Sequence, residues 1–260
     1  MNTTKKLLKI TFLGTGTSQG IPMIASNDPV CLSNDFKDKR LRSSIMISFD
    51  AFTIVIDCGP DFRQQMLREK VQSIQGVFFT HEHADHTAGI DDLRPFCYQI
   101  GEMPIYLNKR TLKSLERRFE YIFSKENRYP GAPSVFPVLV ENSPFYFEDL
   151  EVLPISVMHG NLLILGYRIQ NFAYLTDVKS IEKREKEKLK NLDVLVVNAL
   201  RIDPHPTHFN LQEALDFVAE IQPKTTYFTH ISHKLGFHSE VSKMLPKNVF
   251  LAYDGLEFQV

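Results

Sequence analysis

Between Val77 and Gly89 a short apolar run, Val77-Phe-Phe-Thr80, gives way to His81-Glu-His83-Ala-Asp85-His86, four metal-competent side chains within six positions. The β-branched and aromatic make-up of the run reads as a buried strand, so His81 and His83 fall just past its end, where side chains two apart project the same way. One ion can take both. Asp85 and His86 come next, ahead of a stretch (Asp91, Asp92, Leu93, Phe96) able to start a helix, and from there they point to a second, neighbouring position. The spacing therefore suggests two divalent ions. Such a pair clamps the attacking and leaving oxygens of a displacement and acidifies a shared water to near neutrality, which is hydrolase chemistry.

Composition narrows the setting. The 260 residues are 43% hydrophobic with a net charge of −1, enough for a full core in one large domain or two small ones. No apolar run approaches the roughly 18 residues of a membrane span, and Met1-Asn-Thr-Thr-Lys-Lys turns strand-like too soon for a secretory signal. A cytoplasmic protein without a membrane partner is the expectation. Cys31, Cys58 and Cys97 are widely spaced and form no Cys-x-x-Cys pair, which fits a reducing compartment and small buried side chains. The near-neutral charge leaves no footprint for a long polyanion, so a small substrate is favoured over nucleic acid. A homodimer is compatible with this composition and is not required by it.

Along the chain, residues 7–13 read as a first strand running into Gly14-Thr-Gly16-Thr-Ser-Gln19-Gly20-Ile-Pro22. That turn is neither a P-loop nor a dinucleotide fingerprint, because no Gly-Lys-Ser/Thr follows and Gln19 occupies the third glycine position. Residues 23–43 are polar and end in Lys37, Lys39, Arg40 and Arg42, expected as a solvated surface. A hairpin (44–49 and 52–56) exits at Asp57 and Gly59, and Pro60 opens a helix carrying Phe62, Met66 and Leu67. Helical spacing of Leu112, Leu115, Phe119 and Ile122 predicts one amphipathic helix over 109–125 with those residues in the core. Three prolines and a glycine make 129–137 a loop. Strands are expected at 104–107, 135–140, 145–147, 151–158, 164–170, 172–175, 193–199, 225–230 and 249–252. Ser180 can cap a charged surface helix over 181–192, and 211–221 is a second amphipathic helix. Phe79-Thr80-His81 is echoed at Phe228-Thr229-His230, as two pseudo-equivalent halves would give. His159, Asp177 and His230, each at a strand end, are the natural completion of the site begun at His81.

His81-x-His83-x-Asp85-His86, a later lone His159, Tyr-Leu-Thr-Asp177 and a final Thr-His230 resemble the metallo-β-lactamase superfamily over essentially the whole chain. The resemblance implies an α+β fold, a four-layer αβ/βα sandwich of two mixed sheets flanked by helices, as a single hydrolase domain over residues 1–260. It implies that His81, His83 and His159 hold one ion and Asp85, His86 and His230 the other, with Asp177 bridging them. Imidazoles and carboxylates without cysteine suit zinc or manganese. Asp57 matches the superfamily's first-motif Asp, expected to orient a ligand imidazole.

Within the superfamily, the Gly14–Pro22 turn, Lys39-Arg-Leu-Arg42-Ser-Ser44 and Thr207-His208-Phe-Asn-Leu-Gln-Glu213 resemble the PhnP-type cyclic-phosphate phosphodiesterases. The implied activity is dinuclear metal-dependent hydrolysis of a small, cyclic phosphodiester. Asp85 and His208 are the implied catalytic residues, His208 contacting the phosphate and protonating the departing oxygen, a task suited to imidazole. His205, between two prolines, reads as a loop residue, and His238 as a residue beside the site or on the surface. Members of that group carry a Cys-x-Cys-x-x-Cys loop for a structural zinc, completed by a His three residues after the last metal-site His. Here Ser26-Asn-Asp-Pro-Val-Cys31 keeps only the final cysteine, although His233 is in place, so that third site is expected lost or weakly occupied.

Two rival readings share the ligands. A ribonuclease Z-like tRNA 3′-processing endonuclease usually needs a basic arm, and no such insertion is evident. A non-catalytic metal-binding protein would lack the proton donor or the bridge, and His208 and Asp177 are both present. Thioester or lactone hydrolysis is disfavoured by the Gly-rich turn and the His208 segment.

Overall fold

The computed structural model describes residues 5–124, 126 and 129–260. Its strands are β1 (Lys9–Gly14), β2 (Ser44–Phe49), β3 (Phe52–Ile56), β4 (Gly76–Phe78), β5 (Met103–Leu107), β6 (Val135–Leu139), β7 (Phe145–Phe147), β8 (Leu150–His159), β9 (Leu162–Ile169), β10 (Phe172–Leu175), β11 (Val194–Asn198), β12 (Thr225–Thr229), β13 (Val249–Leu251) and β14 (Glu257–Gln259). Among the described residues they form two sheets of seven, ordered β14-β1-β2-β3-β4-β5-β6 and β13-β12-β11-β10-β9-β8-β7. Each is mixed. The first is antiparallel from β14 to β3 and parallel from β3 to β6. The second is parallel from β13 to β10 and antiparallel from β10 to β7.

The two-residue period of the strands sorts their side chains into layers. Ile54, Ile56 and Phe78 face inward with Tyr167, Phe172, Tyr174, Val194 and Val196 of the opposite sheet, forming the central core. Their neighbours Val55, Val77 and Phe79 face outward, under Phe62, Ile90, Leu93, Phe96 and Leu115. On the other sheet Leu195 and Val197 face outward, under Ala214, Phe217 and Val218 of the helix Leu211–Ile221. That helix starts from a capping box in which the Asn210 side chain accepts from Glu213 N–H and the Glu213 side chain accepts from Asn210 N–H. The result is the four-layer sandwich. Tyr167 stitches its inner layers together, donating its hydroxyl to the Phe79 carbonyl at 2.7 Å. Truncating a residue such as Phe78, fully buried between the sheets, costs about 3–5 kcal/mol.

Several local expectations are corrected. The 109–125 helix breaks at Phe119 (φ −124°, ψ 44°) into Lys109–Arg118 and the turn Glu120–Phe123. Leu112 and Phe119 are accordingly only partly buried, and the expected end at Lys125 lies outside the described residues. The 181–192 helix shrinks to Lys183–Glu187. Ser180 does not cap it, because its backbone is paired with Met158 of β8. Glu185 of that charged run is buried, accepting from Ser156 N–H and Asn142 Nδ2–H. Val135–Pro137 belong to edge strand β6 and not to a loop. Leu67 points to solvent, and Arg40, expected on the surface, is buried. Among the described residues no helix is long and apolar enough to cross a membrane.

Candidate metal centre

The strands β3, β4, β8, β10 and β12 all end at one rim of the sandwich, and the chemistry-bearing residues follow those ends. Asp57 follows β3, His81 follows β4, His159 closes β8, Asp177 lies just past β10, and His230 follows β12. Asp85 and His86 sit in the short helix Ala84–Thr87, which begins on the motif itself, earlier than the sequence suggested. Asp57, Asp177 and His230 have φ of 66°, 58° and 54°, left-handed values in residues other than glycine. Such conformations cost on the order of 1–3 kcal/mol each and persist where the surroundings over-determine them. Here they turn each side chain off its strand and into the rim.

Two clusters result. The donor atoms of His81, His83 and His159 lie within 4.8 Å of one another, and so do those of Asp85, His86, Asp177 and His230. Asp177 joins them through separate oxygens. Its Oδ1 is 3.2 Å from His230 Nε2 and 3.5 Å from His86 Nε2, while its Oδ2 is 3.2 Å from His208 Nε2 and 3.9 Å from His81 Nε2. Asp177 also groups with His159 and His208.

The hydrogen bonds behind these rings fix their tautomers. Asp57 is fully buried and accepts from His86 Nδ1–H at 2.7 Å. It also accepts from the Thr80 N–H and hydroxyl, both at 2.8 Å. The Thr80 oxygen, its proton committed to Asp57, accepts from His81 Nδ1–H at 3.0 Å. On the other side the Thr207 carbonyl accepts from His159 Nδ1–H at 2.9 Å. Each arrangement leaves Nε2 of His81, His86 and His159 as a lone pair turned into the rim. Asp57 thereby sets one imidazole in each cluster.

Whether these residues fit a metal is tested by what they leave unmet. Among the described residues His86 Nε2 and both ring nitrogens of His230 are buried with no hydrogen-bond partner, and an unmet buried polar group costs about 1–3 kcal/mol. Burial favours neutral Asp85 and Asp177, yet both are held well below the ordinary carboxylate range, Asp177 by His230, His86 and His208 and Asp85 by His86 and His230. Burial alone would lower His86, but Asp85, Asp177 and Asp57 together raise it well above the usual imidazole range. Burial and His86 push His81 down. Convergent lone pairs around two anionic carboxylates call for cations, and an all-N/O donor set suits zinc or manganese. The residues fit.

Residues 53–231 match the family described as Beta-lactamase superfamily domain. The chain belongs to the metallo-β-lactamase superfamily. Its two mixed sheets flanked by helices match the solved structures of that fold. The crystal structure of a new diphosphatase from the PhnP family superposes on it with a TM-score of 0.91 at 39% identity, over 97% of this chain and 98% of that one. Zinc-bound PqqB from Methylobacterium extorquens superposes with a TM-score of 0.79 at 18% identity, over 97% and 100%, a likeness of fold alone. An octanoyltransferase of Porphyromonas gingivalis is 42% identical over 253 residues, which are 96% of this chain and 51% of that protein. A ribonuclease Z of Clostridium kluyveri is 28% identical over 190 residues, 71% of this chain and 54% of that protein. The chain thus spans about half the length of the curated relatives it matches.

The sequence reading left some of the site unnamed. It did not single out Thr80, the Thr207 carbonyl, or Asn198, whose side chain accepts from Val178 N–H at 2.6 Å and donates to its carbonyl, pinning the chain just after Asp177. An asparagine closing a buried strand was the available signal for the last. His205, read as a loop residue, meets His208 with their Nδ1 atoms 3.1 Å apart. His238 packs on Arg40 and Asp38, none of them a donor of the two clusters. Cys31 is buried with the Met23 N–H 3.5 Å from its sulfur.

Proposed function

We propose that the protein is a dinuclear metal-dependent phosphodiesterase acting on a small phosphodiester, cyclic or with a diphosphate link. In this reading His81, His83 and His159 hold one ion, Asp85, His86 and His230 the other, and Asp177 serves both. The observation that carries it is Asp177, which turns one carboxylate oxygen toward each cluster while His208 sits 3.2 Å away. The 39% identity to a PhnP-family diphosphatase supports phosphorus over carbon as the centre attacked.

When bound, two divalent ions supply Lewis acidity and a water acidic enough to ionise near neutral pH. The chain's own residues do the rest. Asp57, through His86 and through Thr80 and His81, holds the imidazoles with their lone pairs facing the rim. Asp85 completes the second cluster beside His86 and His230. His208, 8% exposed, aims Nε2 into the site, where burial lowers its pKa to about 4 despite the Asp177 carboxylate. A phosphate anion arriving beside that nitrogen reverses the shift, so that His208 binds the phosphate protonated and gives Nε2–H to the departing alkoxide.

The test is hydrolysis of bis(4-nitrophenyl) phosphate, a nucleoside 2′,3′-cyclic phosphate and a dinucleoside diphosphate by protein loaded with manganese or zinc, beside His81→Ala. Turnover abolished in that variant is expected; none with two bound ions overturns the reading. Asp177→Ala is expected to lose turnover together with one ion by metal analysis. His208→Ala keeps both ions and drops kcat on the cyclic phosphate by roughly 10²–10⁴-fold.

The Porphyromonas gingivalis relative favours a second reading, hydrolysis of an acyl ester or thioester by the same donors, since half of a protein named octanoyltransferase is what this chain matches. Turnover of an octanoyl thioester with no phosphodiester turnover would decide for it.

A further inference from the structure

His208 needs more than a place in the rim. A general acid must present Nε2 to the reacting oxygen, and the group that fixes this is whatever holds Nδ1. Two side chains reach His208 Nδ1. The Thr207 hydroxyl is 2.9 Å away, and His205 Nδ1 is 3.1 Å away. Of the two ring nitrogens facing each other, one must donate and the other accept. The backbone decides which: Thr207 N–H donates to His205 Nδ1 at 3.3 Å, so the His205 lone pair lies on that nitrogen. Its own proton is therefore on Nε2. In the protonated His208, whose Nε2–H faces Asp177 Oδ2 at 3.2 Å, Nδ1 carries the hydrogen of the shared bond, beside the Thr207 hydroxyl that also lies 3.2 Å from His205 Nδ1. His205 is anchored for the task, held between Pro204 and Pro206, which narrow its backbone freedom. Its ring lies 4.9 Å from that of His208, centroid to centroid.

We propose that His205 is a positioning residue of the reaction, the acceptor that orients His208 with Nε2 toward the metal rim. His208 then keeps Nδ1–H throughout. As the P–O bond breaks, the oxygen takes the bonding pair and the Nε2 proton, and His208 passes from cation to neutral imidazole without exchanging its partner. The arrangement matches the logic of a serine-protease triad, in which an acceptor behind the imidazole sets its tautomer, with a neutral histidine here in the acceptor's place. The proposal rests on the assignment of His208 as proton donor.

The leaving group separates this role from a merely structural one. 4-Nitrophenolate departs without a proton, whereas the ribose alkoxide of a 2′,3′-cyclic phosphate needs one. With zinc- or manganese-loaded protein, His205→Ala is expected to lower kcat on the cyclic phosphate roughly 10–100-fold more than on bis(4-nitrophenyl) phosphate, with KM little changed. His205→Asn, which keeps an acceptor near the Nδ1 position, restores part of the loss. The double variant His205→Ala/His208→Ala is no slower than His208→Ala alone. In 15N-histidine spectra of the zinc-loaded protein, the His208 Nδ1–H signal is present in wild type and lost or shifted in His205→Ala. Equal losses on both substrates, or a Thr207→Val variant that reproduces the discrimination while His205→Ala does not, would overturn the proposal. If His208→Ala itself fails to discriminate the leaving groups, the proton-donor assignment has failed; if only His205→Ala fails to, the positioning role alone has.

Discussion

Asp57 receives hydrogen bonds from His86 and Thr80, and Thr80 passes its influence on to His81, so one buried carboxylate governs an imidazole in each donor cluster. Asn at this position keeps the volume but replaces one acceptor oxygen with a donor, which faces either Thr80 or His86 with the wrong polarity. Asp57→Asn is therefore expected to weaken metal binding at both positions by about 10–100-fold, read by competition with a chromophoric chelator. Loss at one position alone would confine Asp57 to a single ring. The dense donors were legible from local spacing, since His81, His83, Asp85 and His86 fall within six positions of the chain. Thr80 and the Thr207 carbonyl were not, because what distinguishes them is a partner, His81 or His159, whose orientation only the fold sets. His205 lies in a loop, as its two prolines describe, but nothing local says that its ring meets His208.

At the scale of elements, the site depends on how closely the Asp57–Gly59 turn packs on the metal-motif helix. Cys58 N–H donates to the His86 carbonyl and Gly89 N–H to the Cys58 carbonyl, at 2.8 and 2.9 Å. A Cβ on Gly59 would lie 2.1 Å from the Asp85 carbonyl oxygen, and one on Gly89 2.1 Å from the Gly59 carbonyl oxygen. Backbone against backbone cannot yield as a side chain can. Gly59→Ala is expected to destabilise by about 1–3 kcal/mol, as overpacking does, and to release the ion held with Asp85 and His86 first. Urea unfolding and metal stoichiometry report the two effects separately. Strands were read well from sequence because burial on both faces leaves β-branched runs such as Val194–Asn198. The helices at 109–125 and 181–192 were overextended, whereas 211–221 has the expected bounds. The 181–192 run reads as an exposed helix only while Glu185 is taken for a surface residue, and its partners Ser156 and Asn142 are distant in sequence. The echo of Phe79-Thr80-His81 at Phe228-Thr229-His230 does have a structural counterpart, since β4 and β12 are both interior parallel strands that end at the shared rim.

Across the whole molecule, a buried polar cluster joins the Gly-rich turn, the 35–42 segment and the C-terminal region. Arg40, 3% exposed, donates to the Thr15 hydroxyl and the Ala252 carbonyl, and meets His238 Nδ1 at 3.1 Å. Asp254 accepts from Thr15 and from Leu41 N–H, and Asp38 accepts from His238 N–H. An always-charged guanidinium donates, so His238 must accept through an unprotonated Nδ1. Burial and the Arg40 charge accordingly lower the His238 pKa from 6.5 to about 4. The unfolded chain then binds more protons than the folded one between those values, so stability is fully present above about 6.5 and falls as the pH drops toward about 4. His238→Gln retains a side-chain oxygen acceptor and cannot titrate. Relative to wild type, its unfolding free energy in metal-loaded protein is expected to lose close to one proton's worth of slope across that window and to keep the same slope above it. The other ionisable groups are the same in both proteins and cancel in the difference, leaving the Arg40 contact as its source. A variant whose slope matched wild type would mean that His238 protonates in the folded state by turning away from Arg40, and the cluster would then tie the two ends of the chain together without any cost in acid.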